Sequence, residues 1–233
     1  MKHVLIVALV MLAAVVSCKK QHPIEVFVDP RFTDPNNAES MEKIAVFTVA
    51  TSLHSTDDPD NQAQPTVEKF LVPALDERVD YKFIAPNTVE YAVSQNGWEE
   101  RYRKFGRSFA VSGKPDLEFL ADMAKQLQCD AFLVPVVDVW QKDEADITEN
   151  TTPATYVGAT ITILSARDGT VLFKATDEDY EEGARTETGD RSLVTSGSGA
   201  VYADLGKKVH RAPPYEDVAA KVAKTLALSL PPR

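Results

Sequence analysis

The sequence predicts an α+β domain in which one mixed β-sheet carries helices packed on it, preceded by a signal peptide and a tether. Three observations carry this. Short β-branched runs alternate with amphipathic stretches between residues 43 and 140. Arg167-Asp168-Gly169 joins two apolar runs as a hairpin signal. Val218, Val222, Leu226 and Leu230 recur every four residues before Pro231, which reads as a closing helix.

The chain has 233 residues, 44% hydrophobic, 26% charged and 8% aromatic, with a formal charge of −10 and two cysteines. That much apolar material excludes a fully disordered chain. Two cysteines cannot staple a scaffold of this length. A net negative surface also argues against non-specific nucleic-acid binding, because a polyanion repels it.

Lys2 and His3 precede an apolar run from Val4 to Val16, then Ser17 and Cys18, the layout of a secretory signal peptide over residues 1–17. The run is short for a permanent span, which needs about 20 apolar residues. Val15-Val16-Ser17-Cys18 resembles the lipobox of bacterial lipoproteins, which implies acyl chains on Cys18 as the membrane attachment. Each buried methylene contributes ~0.8 kcal/mol, so two or more chains hold durably. Lys19, where an aspartate would signal inner-membrane retention, favours the periplasmic face of the outer membrane.

Residues 18–42 read as lipidated cysteine and tether, reaching ~27 Å root-mean-square as flexible chain. Within them Ile24-Glu25-Val26-Phe27-Val28 alternates at period 2 and offers an alternative, an extra edge strand. Residues 43–233 read as one domain. Lys43 to Ala50 suits a buried strand. Pro65 then opens a helix with Val67, Phe70, Leu71 and Ala74 on one face, which Pro73 should kink or end. Tyr81 to Ala85 reads as a strand and Pro86 to Gln95 as a short helix. Pro115 opens another, with Asp116 and Glu118 in its first turn and a stripe of Leu117, Leu120, Ala121, Ala124 and Leu127.

Ala131 to Trp140 is a strand apolar on both faces at first, with Pro135 predicting an edge position or a bulge there. For the hairpin of Ala154 to Ala166 with Thr170 to Thr176, two turns compete. A two-residue Asp168-Gly169 turn would pair Ile163 with Lys174. A three-residue loop with Gly169 left-handed pairs Ile163 with Phe173, Ile161 with Ala175 and Thr162 with Lys174, which keeps the apolar face intact. The second is the expectation. Asp177 to Glu182 then packs five acids into six residues, a solvated rim or a loose divalent-ion site, and 183–212 reads as a long mobile loop.

Little here points to catalysis. The four histidines show no ligand spacing, there is no G-x-S-x-G elbow, and neither Ser112-Gly113-Lys114 nor Gly206-Lys207-Lys208 completes a phosphate loop. Asp57, Asp58 and Asp60 lack the glycine and closing glutamate of a calcium loop. The expectation is no enzyme, no cofactor and no metal. Cys129 opens an apolar run with no His or base beside it, so a buried hydrophobe is preferred over a reactive thiol.

One segment stands out. Trp98, Tyr102, Phe105 and Phe109 recur at helical spacing with Arg101, Arg103, Lys104 and Arg107 between them. The aromatics either pack on the sheet, with the bases solvated, or form with the bases a docking surface for a protein partner, since aromatics and arginine anchor interfaces. Anionic headgroups are a third reading.

The order of "IAVF" after a lipoprotein tether, a helix into "QCDAFLVPVV", then "YVGATITILSARDGTVLF" and an Ala-rich terminal helix resembles a superfamily of periplasmic lipoproteins. It includes the curli secretion lipoprotein, penicillin-binding-protein activator lipoproteins and domains like the N-terminal domain of the translocation protein TolB. The resemblance covers about residues 43–230 and implies a non-enzymatic αβ domain that binds or assembles envelope machinery. Neither Gln141 to Pro153 nor Gly183 to Ala212 alternates like a membrane-crossing strand, which argues against a pore. The expected role is a lipid-anchored accessory module of the bacterial cell envelope with a protein partner, open to self-association. The alternative is a small-ligand or glycan binder with its pocket between the sheet and the 183–212 loop.

Overall fold

The computed structural model describes residues 23–33, 43–144, 152–183 and 212–232. Cys18 and residues 184–211 of the long loop lie outside them. Among the described residues seven strands form one sheet: β1 (Glu25–Val28), β2 (Lys43–Val46), β3 (Ala50–Thr51), β4 (Lys82–Ile84), β5 (Ala131–Asp143), β6 (Ala154–Ser165) and β7 (Val171–Glu182). Their order is β1-β7-β6-β5-β2-β4, with β3 pairing β5 beyond the end of β2. Pairing is parallel around β2, β3 and β4 and antiparallel from β5 to β1, so the sheet is mixed as expected. The helices are α1 (Pro30–Thr33), α2 (Ala63–Asp76), α3 (Pro86–Gln95), α4 (Glu99–Ser112), α5 (Leu117–Leu127) and α6 (Tyr215–Ser229).

Strand alternation divides the core in two. Ile44, Leu133, Ile161, Ile163 and Phe173 face α2 and α6, whose apolar stripes include Val67, Leu71, Val218, Val222 and Leu226. Ala45, Phe132, Val134 and Leu164 face α3, α4 and α5 on the other side. β5 lies between β6 and β2, covered on both faces, which explains its near-continuous apolar run.

Pro135 is therefore neither at an edge nor at a bulge, contrary to expectation. The interruption falls on its neighbour: the chain leaves β2 after Val46 and rejoins β5 as β3 at Ala50 opposite Val136, so the missing proline donor faces the gap. Glu68 and Gln64 of α2 hold that gap through the Val49 N–H (3.0 Å) and carbonyl (2.8 Å). The bulge comes three residues later, at Asp138, where Val137 pairs Ala159 and Val139 pairs Gly158. A Cβ on Gly158 would lie 2.8 Å from Val139 and 2.9 Å from the Asp138 carboxylate, so the bulge needs glycine opposite it.

Other departures have local causes. Pro65 is the third residue of α2, whose first N–H groups are capped by Asp58 (2.8 Å to Gln62 N, 2.9 Å to Ala63 N). Pro73 sits in the last turn, where it removes one helical hydrogen bond close to the end, and the helix stops at Asp76. The buried stripe of α5 is Phe119, Leu120 and Met123, while Leu117 is exposed. Asp116 caps that helix through the Phe119 N–H, which makes Leu117 its first residue and turns it away from the core.

The hairpin keeps the expected pairs Ile163 with Phe173, Ile161 with Ala175 and Thr162 with Lys174, and Gly169 is left-handed at φ +69°. Its loop is one residue longer than expected, closed by Gly169 N–H to Ser165 C=O at 2.9 Å. An irregularity between Ile163 and Leu164 absorbs the extra residue and lets Leu172 and Phe173 both enter the core. The 24–28 segment takes its second form, an edge strand paired from Glu25 with Thr176 to Val28 with Phe173. Phe32 after it is buried against Tyr81 and Phe173, so this part of 18–42 is packed structure and not tether.

β7 continues through the acidic run to Glu182, with Asp177, Asp179 and Glu181 on the α6 face and Glu178 and Glu182 on the other. Asp177 points inward against α6 and is buried, whereas Glu181 pairs Lys221 at 2.6 Å and Asp179 accepts from the Tyr180 N–H at 2.8 Å. Burial, with Asp179 adding to it, pushes the Asp177 carboxyl up to about 6, against the opposing bond from Thr225. The native state thus binds more protons than the unfolded chain between its ordinary value of 3.8 and about 6, and stability falls as pH rises through that window. Asp177→Asn, which can still accept from Thr225, is expected to raise Tm by several degrees at pH 7.5 and by about a third as much at pH 4.5, part-way into the window. Melts at both pH values check this; an equal shift at both would put its cause elsewhere than in ionisation.

Candidate functional site

α4 is amphipathic in the sense the sequence suggests, and the sheet takes its aromatic side. Phe105 and Phe109 are 3% and 4% exposed. The Phe105 ring meets Phe47, Phe109 and Phe119 at centroid distances of 5.4, 5.7 and 5.6 Å. Trp98, at the N-cap, packs edge-on against Phe119. The Tyr102 hydroxyl accepts from the Thr48 N–H at 2.8 Å and lies 3.0 Å from the Thr48 hydroxyl, and burial pushes its pKa up to about 12. These rings pin α4 to the β2–β3 connection. The reading of Phe105 and Phe109 as partner anchors is thereby corrected: helical period and burial of the β3 region turn them inward.

The bases separate from the rings. Arg101 pairs Asp122 at 3.0 Å and lies over Phe119, and Arg103 pairs Glu100 one turn back. Lys104 and Arg107 are exposed and form no ion pair among the described residues. Val111, 80% exposed, continues the same outer face.

The second feature is a groove that sequence reasoning does not reveal. α3, α4 and α5 cover one face of the sheet only as far as β5 and part of β6, and beyond the end of α4 a concavity of about 350 Å³ opens over β5, β6 and β7. Asp138 is aimed into it by the bulge. The Thr160 hydroxyl donates to Asp138 at 3.0 Å and lies 3.0 Å from that of Thr176, a polar line across three strands. Thr162 and Lys174 continue the floor beside Val136 and Val171, and Phe109 of α4 borders it. Burial raises the Asp138 carboxyl above its ordinary range, with the Thr160 bond opposing. A lone acid in AFLVPVVDVW is the available signal, but periodicity does not reveal a one-residue bulge.

On the other side of Asp138 a concavity of about 540 Å³ is lined by Trp140, Lys142 and Tyr215. Trp140 stacks on Tyr215 at 3.9 Å and 8°, and the Lys142 ammonium lies 4.6 Å from the same ring centroid. Both ring faces are thus occupied, so Tyr215 offers no stacking platform for a sugar.

Cys129 is buried, and burial, with Asp130 adding to it, pushes its thiol up to about 12, which suppresses thiolate chemistry. Among the described residues no group of three or more His, Cys, Asp or Glu side chains could hold a metal ion. No described helix is long and apolar enough to cross a membrane. The expected lipidation site, Cys18, and the 184–211 part of the loop expected to border a pocket lie outside the described residues.

No family model matches the chain, and no curated protein matches it. Solved structures with a similar arrangement include the lipoprotein GNA1162 from Neisseria meningitidis, at 16% identity and a TM-score of 0.45 over 63% of this chain and 88% of that one. The PelC dodecamer from Paraburkholderia phytofirmans gives 13% identity and a TM-score of 0.40 over 88% and 96%. The C-terminal domain of LpoB from Escherichia coli gives 10% and 0.34 over 60% and 82%. These likenesses are too distant to carry an argument about role.

Proposed function

We propose that this chain is a non-enzymatic, lipid-anchored interaction module of the bacterial cell envelope, held through acyl chains on Cys18 at the periplasmic face of the outer membrane and accessory to an envelope protein complex. The observation that carries the reading is the outer face of α4. In a chain of net charge −10, it presents Arg103, Lys104 and Arg107 beside the exposed apolar Val111, while its aromatic residues serve the core. Arginine flanking an apolar contact suits a partner surface of acidic and apolar groups. The anchor keeps this surface close to the membrane: fully extended, the chain from Cys18 to Glu25 reaches at most about 25 Å.

Two measurements test the proposal. Cys18→Ser is expected to move the protein out of the membrane fraction and to remove acyl mass from the N-terminal peptide; a membrane-bound, unacylated wild type overturns the anchor. A photocrosslinker at position 107 or 111 in cells is expected to capture one dominant envelope protein, with capture falling at least about tenfold when Arg103 and Lys104 are both changed to Glu. No capture, or capture indifferent to the charge reversal, overturns the α4 interface.

A further inference from the structure

We infer that the groove over β5, β6 and β7 binds a small zwitterion, an amino acid or short peptide whose ammonium group meets Asp138 and whose carboxylate meets Lys174. Both residues line the same concavity, on strands separated by β6 and so about 9.6 Å apart across the sheet, and they are offset along it, since Lys174 pairs Thr162 whereas the Asp138 bulge lies opposite Ala159 and Gly158. They form no ion pair with each other, and Lys174 has no hydrogen-bonding or ion-pair partner among the described residues; Asp138 has only the Thr160 hydroxyl. Opposite charges so placed, one at each side of a hydroxyl floor, leave room for a ligand that bridges them.

The ligand's two charges follow from exclusion. A simple anion attracted to Lys174 would also face Asp138 and Glu178, which lies farther along β7 across β6 from the bulge and whose field already opposes ionisation of Asp138. A simple amine at Asp138 would face Lys174. Only a molecule carrying both signs satisfies both ends. Between them the Thr162 hydroxyl, which makes no hydrogen bond to another described group, faces the groove and is available to the ligand's polar atoms. Phe109, Val136 and Val171 supply an apolar wall that lowers the local dielectric and strengthens both charge contacts. The Asp138 carboxylate forms no ion pair among the described residues and feels the Lys174 charge only across the groove, so it gains when a cation arrives beside it. This site does not involve the anchor, and it meets the α4 face only at Val111, which borders the groove beside Phe109.

The test uses the full chain in detergent micelles with methyl-resolved NMR of Val136, Val171 and Thr162. The probes are glycine, β-alanine, 4-aminobutyrate and 6-aminohexanoate, which step the distance between the charges, with butylamine and butyrate as single-charge controls. One member of the series is expected to bind at least about tenfold more tightly than either control, and Asp138→Asn and Lys174→Gln are each expected to weaken it by about tenfold or more while leaving the thermal melt unchanged. The inference is overturned if no probe shifts these methyls up to about 10 mM. It is equally overturned if a single-charge control binds as well as the best member, or if binding survives both substitutions.

Discussion

Phe105→Ala is expected to destabilise the domain by about 3–5 kcal/mol, whereas Arg107→Ala, two residues on, is expected to change stability by less than about 0.5 kcal/mol. The contrast comes from the same helix viewed from two sides. Phe105 fills a cluster in which its ring meets three other phenylalanines, drawn from the β2–β3 connection, α4 and α5, so truncation leaves a cavity that no single element can collapse into. Phe47 in turn packs edge-on against both Tyr102 and Phe132, and a loosened Phe105 site therefore weakens the contact between α4 and the centre of the sheet. Urea unfolding of the two variants decides the matter. A Phe105→Ala loss below about 1 kcal/mol would mean that the ring is not part of the core and would return it to the partner-facing side.

That helix also shows what a sequence can and cannot convey. Spacing of 98, 102, 105 and 109 identifies a stripe, but a stripe of aromatics beside a stripe of bases is equally compatible with core or interface until the sheet beneath is placed. Where pattern and long-range pairing constrain each other, the chain is legible: Pro86–Gln95 is bounded by its proline, and the Ile163 to Phe173 register follows from keeping Lys174 off the apolar face. Features created by one residue out of step are not. The Asp138 bulge, the additional loop residue before Thr170 and the gap opposite Pro135 each shift the chain locally without altering the period on either side. The groove depends on the first of these, which is why Asp138 and Lys174, 36 residues apart in the chain on non-adjacent strands, carry no common signal.

Arg78 is invisible in the sequence for a related reason, and its replacement is the second large effect. Arg78→Ala is expected to cost about 2–4 kcal/mol, with faster hydrogen exchange concentrated in α6. All five N–H donors of this guanidinium are used. Two meet the Asp80 carboxylate (2.9 and 2.8 Å), and the other three reach the carbonyls of Ala227, Leu230 and Pro231 at 2.8, 2.8 and 3.2 Å. Those carbonyls close the C-terminal end of α6, where helical partners run out, so Arg78 supplies the missing donors and a positive charge at the negative end of the helix dipole. Tyr81 adds a hydroxyl to the Pro231 carbonyl at 2.6 Å and places its ring beneath the guanidinium. Lysine has the charge but not the planar fork, so Arg78→Lys should recover less than half of the loss. The link joins the turn after α2 to the last turn of α6, across roughly 150 residues of sequence, and α6 covers β6 and β7 on the face opposite the groove. Loosening it should therefore speed exchange in α6 while the β5–β6 ladder stays protected. Uniform acceleration across the sheet would show that Arg78 sets global stability and not the docking of this helix.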